Sequence, residues 1–125
     1  MSKILVVDDD RDLLEVLKSL LTRKGFEVET DENWESGFSK IDKFQPQLIL
    51  LDVFLSGIDG LDICRQIKAR PQTCDIPVII FSAFPRTTEP MIYDYGADDF
   101  IAKPFEVNDL VVKLHAVLSQ QVGLA

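Results

Sequence analysis

Short, continuous apolar runs recur along this 125-residue chain, and segments with helical periodicity separate them. A run that is apolar at every position, rather than at every second one, is typical of a strand buried on both faces. Strands of this kind that alternate with amphipathic helices form a parallel sheet covered on both sides. The pattern therefore predicts one α/β domain, with strands at residues 3–7, 26–30, 47–51, 77–81 and 99–102.

The intervening segments predict five helices. Gly25 gives the first helix its stop signal, and Pro46 and Pro71 prevent the second and third from continuing. The fourth helix begins near residue 88 and can be only a little more than two turns long before Gly96. Apolar residues follow helical spacing over 13–21, 34–41, 61–67 and 107–118, and the second helix is predicted to last until Phe44.

Composition excludes several classes of function. The net charge of −8 argues against nucleic-acid binding, which requires clustered Lys and Arg to neutralise phosphates. No apolar stretch approaches the ~18–20 residues of a membrane span, and the N-terminus is too short for a signal peptide. Cys64, Cys74 and the lone His115 do not have the spacing of a metal site. We therefore expect a cytoplasmic chain with reduced thiols and no membrane insertion.

Polar side chains stand where the apolar runs end. Asp8 and Asp9 follow the first run, Asp52 follows the third, Ser82 follows the fourth and Lys103 follows the fifth. Because the carboxyl ends of parallel strands meet at one edge of a sheet, these five side chains are expected to converge there. Open α/β sheets place their ligand sites at this edge, so the five residues form the candidate site.

The three acids are suited to a hard cation. Mg²⁺ takes one or two carboxylates, keeps waters and can hold a phosphate oxygen, so it fits Asp8, Asp9 and Asp52 best. Without a cation, unit charges about 4 Å apart repel by roughly 4 kcal/mol at an effective dielectric near 20. The acids therefore look arranged for a purpose other than stability, although an acidic triplet that includes Asp10 can also cap a helix.

An aspartate is a competent nucleophile toward phosphorus, and Asp52 combines a rigid strand end with neighbouring metal ligands. Lys103 is the fixed cation that can pair with the acids at rest and with a phosphoryl oxygen later. Ser82 can donate a hydrogen bond to that oxygen. The alternatives are a solvated surface lysine and a serine that caps a helix or turn. The set indicates a metal-assisted, phosphoryl-accepting aspartate.

Four short motifs carry these residues, at positions 6–9, 51–60, 81–83 and 96–105. They read Val-Val-Asp-Asp, Leu-Asp through Asp-Gly, Phe-Ser-Ala, and Gly-Ala-Asp-Asp-Phe-Ile-Ala-Lys-Pro-Phe. Each is weak alone, but together, in this order, they resemble the response-regulator receiver domain of two-component signalling, including its stand-alone chemotaxis type. The resemblance covers nearly the whole chain and implies a flavodoxin-like, doubly wound, five-stranded parallel sheet of order 2-1-3-4-5, with five helices on its two faces.

The resemblance also implies a role for each residue. Asp52 is the phospho-acceptor. Asp9, Asp52 and the backbone carbonyl of Phe54 are direct Mg²⁺ ligands, and Asp8 acts through water. Lys103 contacts the phosphoryl group, with a cis bond to Pro104. Ser82 and Phe100 form the switch.

The chain departs from the family pattern at several positions. Leu55 and Ser56 stand where a Met-Pro pair is usual, and Phe100 where many members have Tyr. Phe54 and Phe84 follow Asp52 and Ser82 by two residues, where apolar rings are expected to exclude water and lengthen the phosphoryl lifetime. A packing role for the two rings is the alternative.

The implied function is to take a phosphoryl group from a histidine kinase or phosphotransfer protein and to switch a surface that binds a downstream protein. The chain would not be a turnover enzyme. Three alternatives remain: an aspartate-nucleophile phosphohydrolase, a flavin-binding electron carrier, and a receiver-fold docking module without phosphorylation. Phe54 stands where the phosphohydrolase would need a second acid, and the acids at 8–10 would repel a flavin phosphate. Residues 1–119 are expected to form the domain, and 120–125 a tail or the start of a linker.

Overall fold

The computed structural model describes residues 2–34, 36–55, 57–83 and 89–123. Within these ranges, seven strands and five helices alternate in much the order that the apolar runs predict. The elements are β1 (Lys3–Val7), α1 (Arg11–Arg23), β2 (Glu27–Asp31), α2 (Phe38–Phe44), β3 (Leu48–Leu51), β4 (Phe54–Leu55), β5 (Ile58–Asp59), α3 (Gly60–Ala69), β6 (Val78–Ser82), α4 (Glu89–Tyr93), β7 (Asp99–Ala102) and α5 (Val107–Gly123).

Five strands form one parallel sheet in the order β2-β1-β3-β6-β7. Counted along these five strands alone, this is the predicted order 2-1-3-4-5, and the doubly wound, flavodoxin-like fold is confirmed. Val7 at the end of β1 lies opposite Asp31 on one side and Leu51 on the other. This register brings the residues that follow β1 and β3 to the same edge of the sheet.

The sheet separates two hydrophobic cores. Leu5 and Val7 face a cluster built with α2, α3 and α4, whereas Ile4 and Val6 face a cluster built with α1 and α5. All four residues are fully buried. Burying one such side chain contributes roughly 1.5–3 kcal/mol, so the strands that carry the site residues are anchored on both faces.

Two helix boundaries differ from the sequence prediction by more than one residue. The second helix begins at Phe38 rather than at Trp34, because Trp34 has a φ of +59°, outside the helical region. This helix ends at Phe44, as predicted, and Gln45 follows it with a φ of +52°. α5 continues to Gly123, past residue 119. α4 has only five residues, as short as predicted.

An antiparallel pair, β4 and β5, follows β3 and was not predicted. Gly60 begins α3 immediately after it, and Asp59 caps that helix by accepting the Leu61 N–H at 2.9 Å. A Cβ at position 60 would lie 2.0 Å from the Asp52 carbonyl oxygen. Only glycine therefore allows α3 to start so close to the backbone of Asp52.

The edge strand β7 has its outer backbone groups occupied by side chains. Asp99 Oδ1 accepts the N–H of Phe100 at 2.8 Å, and Lys113 Nζ donates to the Phe100 carbonyl at 2.6 Å. The bond between Lys103 and Pro104, just after β7, is cis, as the resemblance implied. None of the described helices combines the length and apolar character needed to cross a membrane.

Candidate functional site

Two aspartates are buried where adjacent strands end. Asp8 follows β1 and is fully buried, and Asp52 follows β3 and is 5% exposed. Their backbones are tied to the sheet, since the Asp52 N–H donates to the Val7 carbonyl at 3.0 Å and the Asp8 N–H to Asp31 at 3.1 Å. These bonds fix the backbone of both aspartates at the carboxyl edge of the sheet.

Asp9 completes an acidic cluster with them. One carboxylate oxygen from each of Asp8, Asp9 and Asp52 can be chosen so that all three lie within 4.8 Å of one another, and Asp9 is exposed. A cluster of hard oxygen donors with one open side fits Mg²⁺, which keeps part of its water shell. The donor set thus agrees with the predicted metal site.

Lys103 reaches both buried acids from the end of β7. Its Nζ donates to Asp8 Oδ2 at 2.6 Å and to Asp52 Oδ2 at 3.3 Å. Its backbone N–H donates to the Ser82 carbonyl at 2.9 Å, which links the last strand to β6. Lys103 is therefore part of the site and not a solvated surface side chain.

The pKa values of Asp8 and Lys103 are both raised, for different reasons. Burial raises the pKa of Asp8, and the charge of Asp52 adds to this, while hydrogen bonds from Lys103 and from the Asp10 N–H oppose it. Burial lowers the pKa of Lys103, but the hydrogen bond to Asp8 and the charges of Asp52 and Asp8 outweigh it, so that pKa lies above its ordinary value. Lys103 thus stays charged, and Asp8 is ionised at a cost.

Ser82 ends β6 with its hydroxyl buried. The residue is 1% exposed, and Oγ has no hydrogen-bond partner among the described residues. A buried hydroxyl without a partner costs about 1–3 kcal/mol, so this donor is left unpaired at the carboxyl end of β6. This is what a hydroxyl that later contacts a phosphoryl oxygen requires.

The aromatic residues divide into buried and exposed. Phe100 is 4% exposed and belongs to the core on the α3 side of the sheet. Phe54 is 61% exposed, and its N–H points at Asp52 Oδ1, 3.4 Å away. Its side chain lines a surface cavity with α4 residues, so shielding of Asp52 by Phe54 stays a prediction. Phe84 lies outside the described residues.

Asp10 has a structural role. Its side chain caps α1 by accepting the Leu13 N–H at 3.2 Å, and its own N–H donates to Asp8 Oδ1 at 2.9 Å. The sequence allowed this capping role for the acidic triplet. The close approach of Gly60 to Asp52 was missed, and the Asp-Gly pair before an apolar helix was the signal that could have found it.

Known proteins have a similar fold and a related sequence. The family described as "Response regulator receiver domain" matches residues 4–115. Response regulator ArlR from Staphylococcus aureus strain Mu50 is 37% identical over 122 residues, which are 97% of this chain and 54% of ArlR. The chain thus spans about half the length of the curated relatives it matches.

Two solved structures extend the comparison. NtrX from Brucella abortus superimposes with a TM-score of 0.86 at 32% identity, over 96% of this chain and 28% of NtrX. The receiver domain of a signal transduction histidine kinase from Syntrophus aciditrophicus superimposes with a TM-score of 0.86 at 30% identity. The match covers 96% of this chain and 92% of that domain. The sheet order, the acidic edge and these matches define a signalling domain of the receiver class. The chain belongs to the response regulator receiver domain family of two-component systems.

Proposed function

We propose that Asp52 is the phospho-acceptor of this receiver domain. The observation that carries the assignment is the position of its carboxylate: buried at a strand end, with ligand oxygens of Asp8 and Asp9 nearby and Lys103 Nζ 3.3 Å away. Asp8 shares this cation but is fully buried, and its two carboxylate oxygens accept short hydrogen bonds from Lys103 Nζ at 2.6 Å and from the Asp10 N–H at 2.9 Å. The hydrogen bonds to Asp52 are longer, at 3.3 and 3.4 Å, so its oxygens are less occupied. Asp52 therefore combines fixed geometry and charge stabilisation with the more available carboxylate.

The proposed reaction moves one phosphoryl group between two side chains. A carboxylate oxygen of Asp52 attacks the phosphorus of a phosphohistidine on a kinase or phosphotransfer protein. An O–P bond forms and the P–N bond breaks, and its electron pair leaves with the imidazole, which takes up a proton. Lys103 and the Ser82 hydroxyl stabilise the charge on the phosphoryl oxygens.

Mg²⁺ would be held by Asp9, Asp52 and the Phe54 carbonyl, with Asp8 acting through water. When bound, it supplies positive charge against the oxygens of the transferred group. The cluster of three carboxylates supports this assignment, because its mutual repulsion is relieved by a divalent cation.

Phosphorylation would switch a surface that a downstream protein recognises. The new group adds about −1.5 to −2 charge beside Lys103 and Ser82. Ser82 and its loop move toward it, and Phe100 fills the space that they leave. The phosphoryl group favours the state that holds it better, and the two populations shift accordingly.

The receiver domain is assigned to residues 1–119, which contain the family match at 4–115. Residues 120–123 extend α5 rather than leaving the fold, so any linker begins as helix. The two cysteines are free, which suits a cytoplasmic chain. The protein is a phospho-acceptor and not a turnover enzyme, because Phe54 offers no acid for a hydrolytic cycle.

Acetyl phosphate as donor tests the assignment. We expect Mg²⁺-dependent labelling of the parent, and loss of labelling in Asp52→Asn or in chelator. Asp75→Asn, at an exposed aspartate, is the matched control and should be labelled like the parent. Intact-mass measurement gives the stoichiometry, and circular dichroism confirms the fold. Full labelling of folded Asp52→Asn would show that the acceptor is another residue.

A further inference from the structure

An apolar cavity of about 510 Å³ lies between the β4–β5 hairpin and α4. Its floor is buried, since Leu55 and Leu61 are 4% and 3% exposed. Its rim is open, with Phe54, Ile58 and Met91 between 38% and 61% exposed. Large apolar side chains that are exposed together, over a buried apolar floor, mark a binding surface more strongly than scattered ones.

The charges around this cavity are mainly negative. Asp59 lines the cavity, and the N–H of Asp94 donates to the Met91 carbonyl at 3.1 Å, which places Asp94 beside the α4 wall. Both aspartates are exposed. Arg65 is a nearby cation, but its guanidinium lies over the Tyr95 ring at 4.3 Å and is held there.

Charge decides between the possible occupants. A second copy of this chain would bring another acidic rim and another net charge of −8, so like charges would oppose its docking. Nucleic acid and anionic lipid are repelled for the same reason. A protein segment with apolar side chains flanked by Lys or Arg can pack against the apolar floor and pair with the aspartates at the rim.

We propose that this cavity binds a basic, amphipathic segment of a protein partner. Its apolar side chains enter between Leu55, Ile58 and Met91, and its cations pair with Asp59 and Asp94. The lining of the cavity begins at Val53, directly after Asp52, so the inference names the chemistry of a partner at the proposed phosphorylation site. The inference rests on the proposed function only where it says that this partner takes part in signalling.

The test uses a synthetic amphipathic peptide of about 12 residues, built from leucine and lysine. It is titrated into ¹⁵N-labelled chain carrying Asp52→Asn, so that failure of phosphorylation does not affect the result. We expect amide shift changes at the hairpin, α3 and α4. In Met91→Ser and Ile58→Ser, Kd should rise by about tenfold, from the lost apolar contact.

Matched substitutions separate the groove from general attraction. Val112→Ser and Val16→Ser, which change side chains 68% and 52% exposed elsewhere, should leave Kd within about twofold. Asp94→Asn should weaken binding more than Asp75→Asn. Circular dichroism of every variant confirms that its fold is retained.

Three results would overturn the proposal. One is equal affinity in all the serine variants, which would mean attraction by charge alone. Another is equally tight binding of a peptide with glutamate in place of lysine. The third is self-association of the free chain in sedimentation equilibrium that Met91→Ser abolishes, because the cavity would then belong to a second copy.

Discussion

Asp8 is the residue whose burial and charge are most opposed. It is fully buried beside Asp52, and Lys103 relieves this only in part. In chelator, we expect Asp8→Asn to be neutral or to raise the free energy of unfolding by up to about 1 kcal/mol, because a buried charge is removed. Urea denaturation measures this change in the free energy of unfolding, provided that the m-values are unchanged, and Asp75→Asn is the control. A clear loss of stability would make Asp8 a structural residue.

The same residue gives a pH dependence with a defined sign. Burial raises the pKa of Asp8 in the folded state, so the folded chain binds its proton more tightly than the unfolded chain. The penalty from ionised Asp8 is therefore present above the folded pKa, and it is relieved as pH falls through that value. We expect the stability difference between Asp8→Asn and the parent to shrink as the pH is lowered, in the absence of divalent metal.

Lys103 joins the acids to the last strand, and its removal separates two effects. Lys103→Ala should lower stability without metal by about 1–3 kcal/mol, because Asp8 and Asp52 lose their cation. Acetyl phosphate should still label some of the variant, but amide shifts in β7 and α5 should no longer follow phosphorylation. Lys18→Ala, at an exposed position, is the control. Shifts identical to those of the phosphorylated parent would exclude the coupling role.

At the scale of elements, α3 packs against the end of β3 through Gly60. An alanine Cβ there would meet the Asp52 carbonyl oxygen at 2.0 Å and the Val53 Cα at 2.8 Å. Both are backbone atoms, so we expect Gly60→Ala to cost about 3 kcal/mol or more and to slow labelling of Asp52. Thermal unfolding and phosphorylation rates test this beside Gln66→Ala, an exposed position on the same helix. An unchanged rate would show that α3 does not position the acceptor.

Most elements could be predicted from the sequence because burial imposes a simple pattern. β1, β3 and β6 are apolar except at Lys3 and Ser82, and they lie inside the sheet with their carboxyl ends at one edge. Trp34 misled the prediction, because its spacing to Phe38 is that of a helix. The centroids of the two rings do lie 5.4 Å apart, but the backbone of Trp34 is not helical. Apolar spacing reports contact with the core, and such contact does not require a helix.

The β4–β5 hairpin could not be predicted for a different reason. Each strand has two residues, too few for a periodicity to show. The position of Lys103 could be expected from strand order, but its distances to Asp8 and Asp52 depend on side-chain conformation. The sequence thus predicted which charged residues form the cluster, but not the distances between them.

For the whole molecule, metal binding and folding are linked. A cation that binds only the folded chain stabilises it by about 2.7 kcal/mol at a concentration 100 times Kd. We therefore expect Mg²⁺ to raise the urea midpoint of the parent, and Asp9→Asn to weaken this effect by lowering metal affinity. Ca²⁺-free buffers exclude a competing cation, and an Asp12→Asn control shows whether the loss of any nearby acid has the same effect. An equal Mg²⁺ effect in Asp9→Asn would place the ion elsewhere.

Both margins of the sheet are closed to further strands. On β7, Asp99 and Lys113 already occupy the outward N–H and carbonyl of Phe100, so an added strand would have to displace them. On β2, Lys40 Nζ donates to the Thr30 carbonyl at 2.7 Å, and Glu27 and Glu29 would repel a second such margin. An exposed strand edge, with unpaired N–H and carbonyl groups, can template pairing with another chain. This chain should instead remain dispersed at high concentration, even while its phosphorylation state changes.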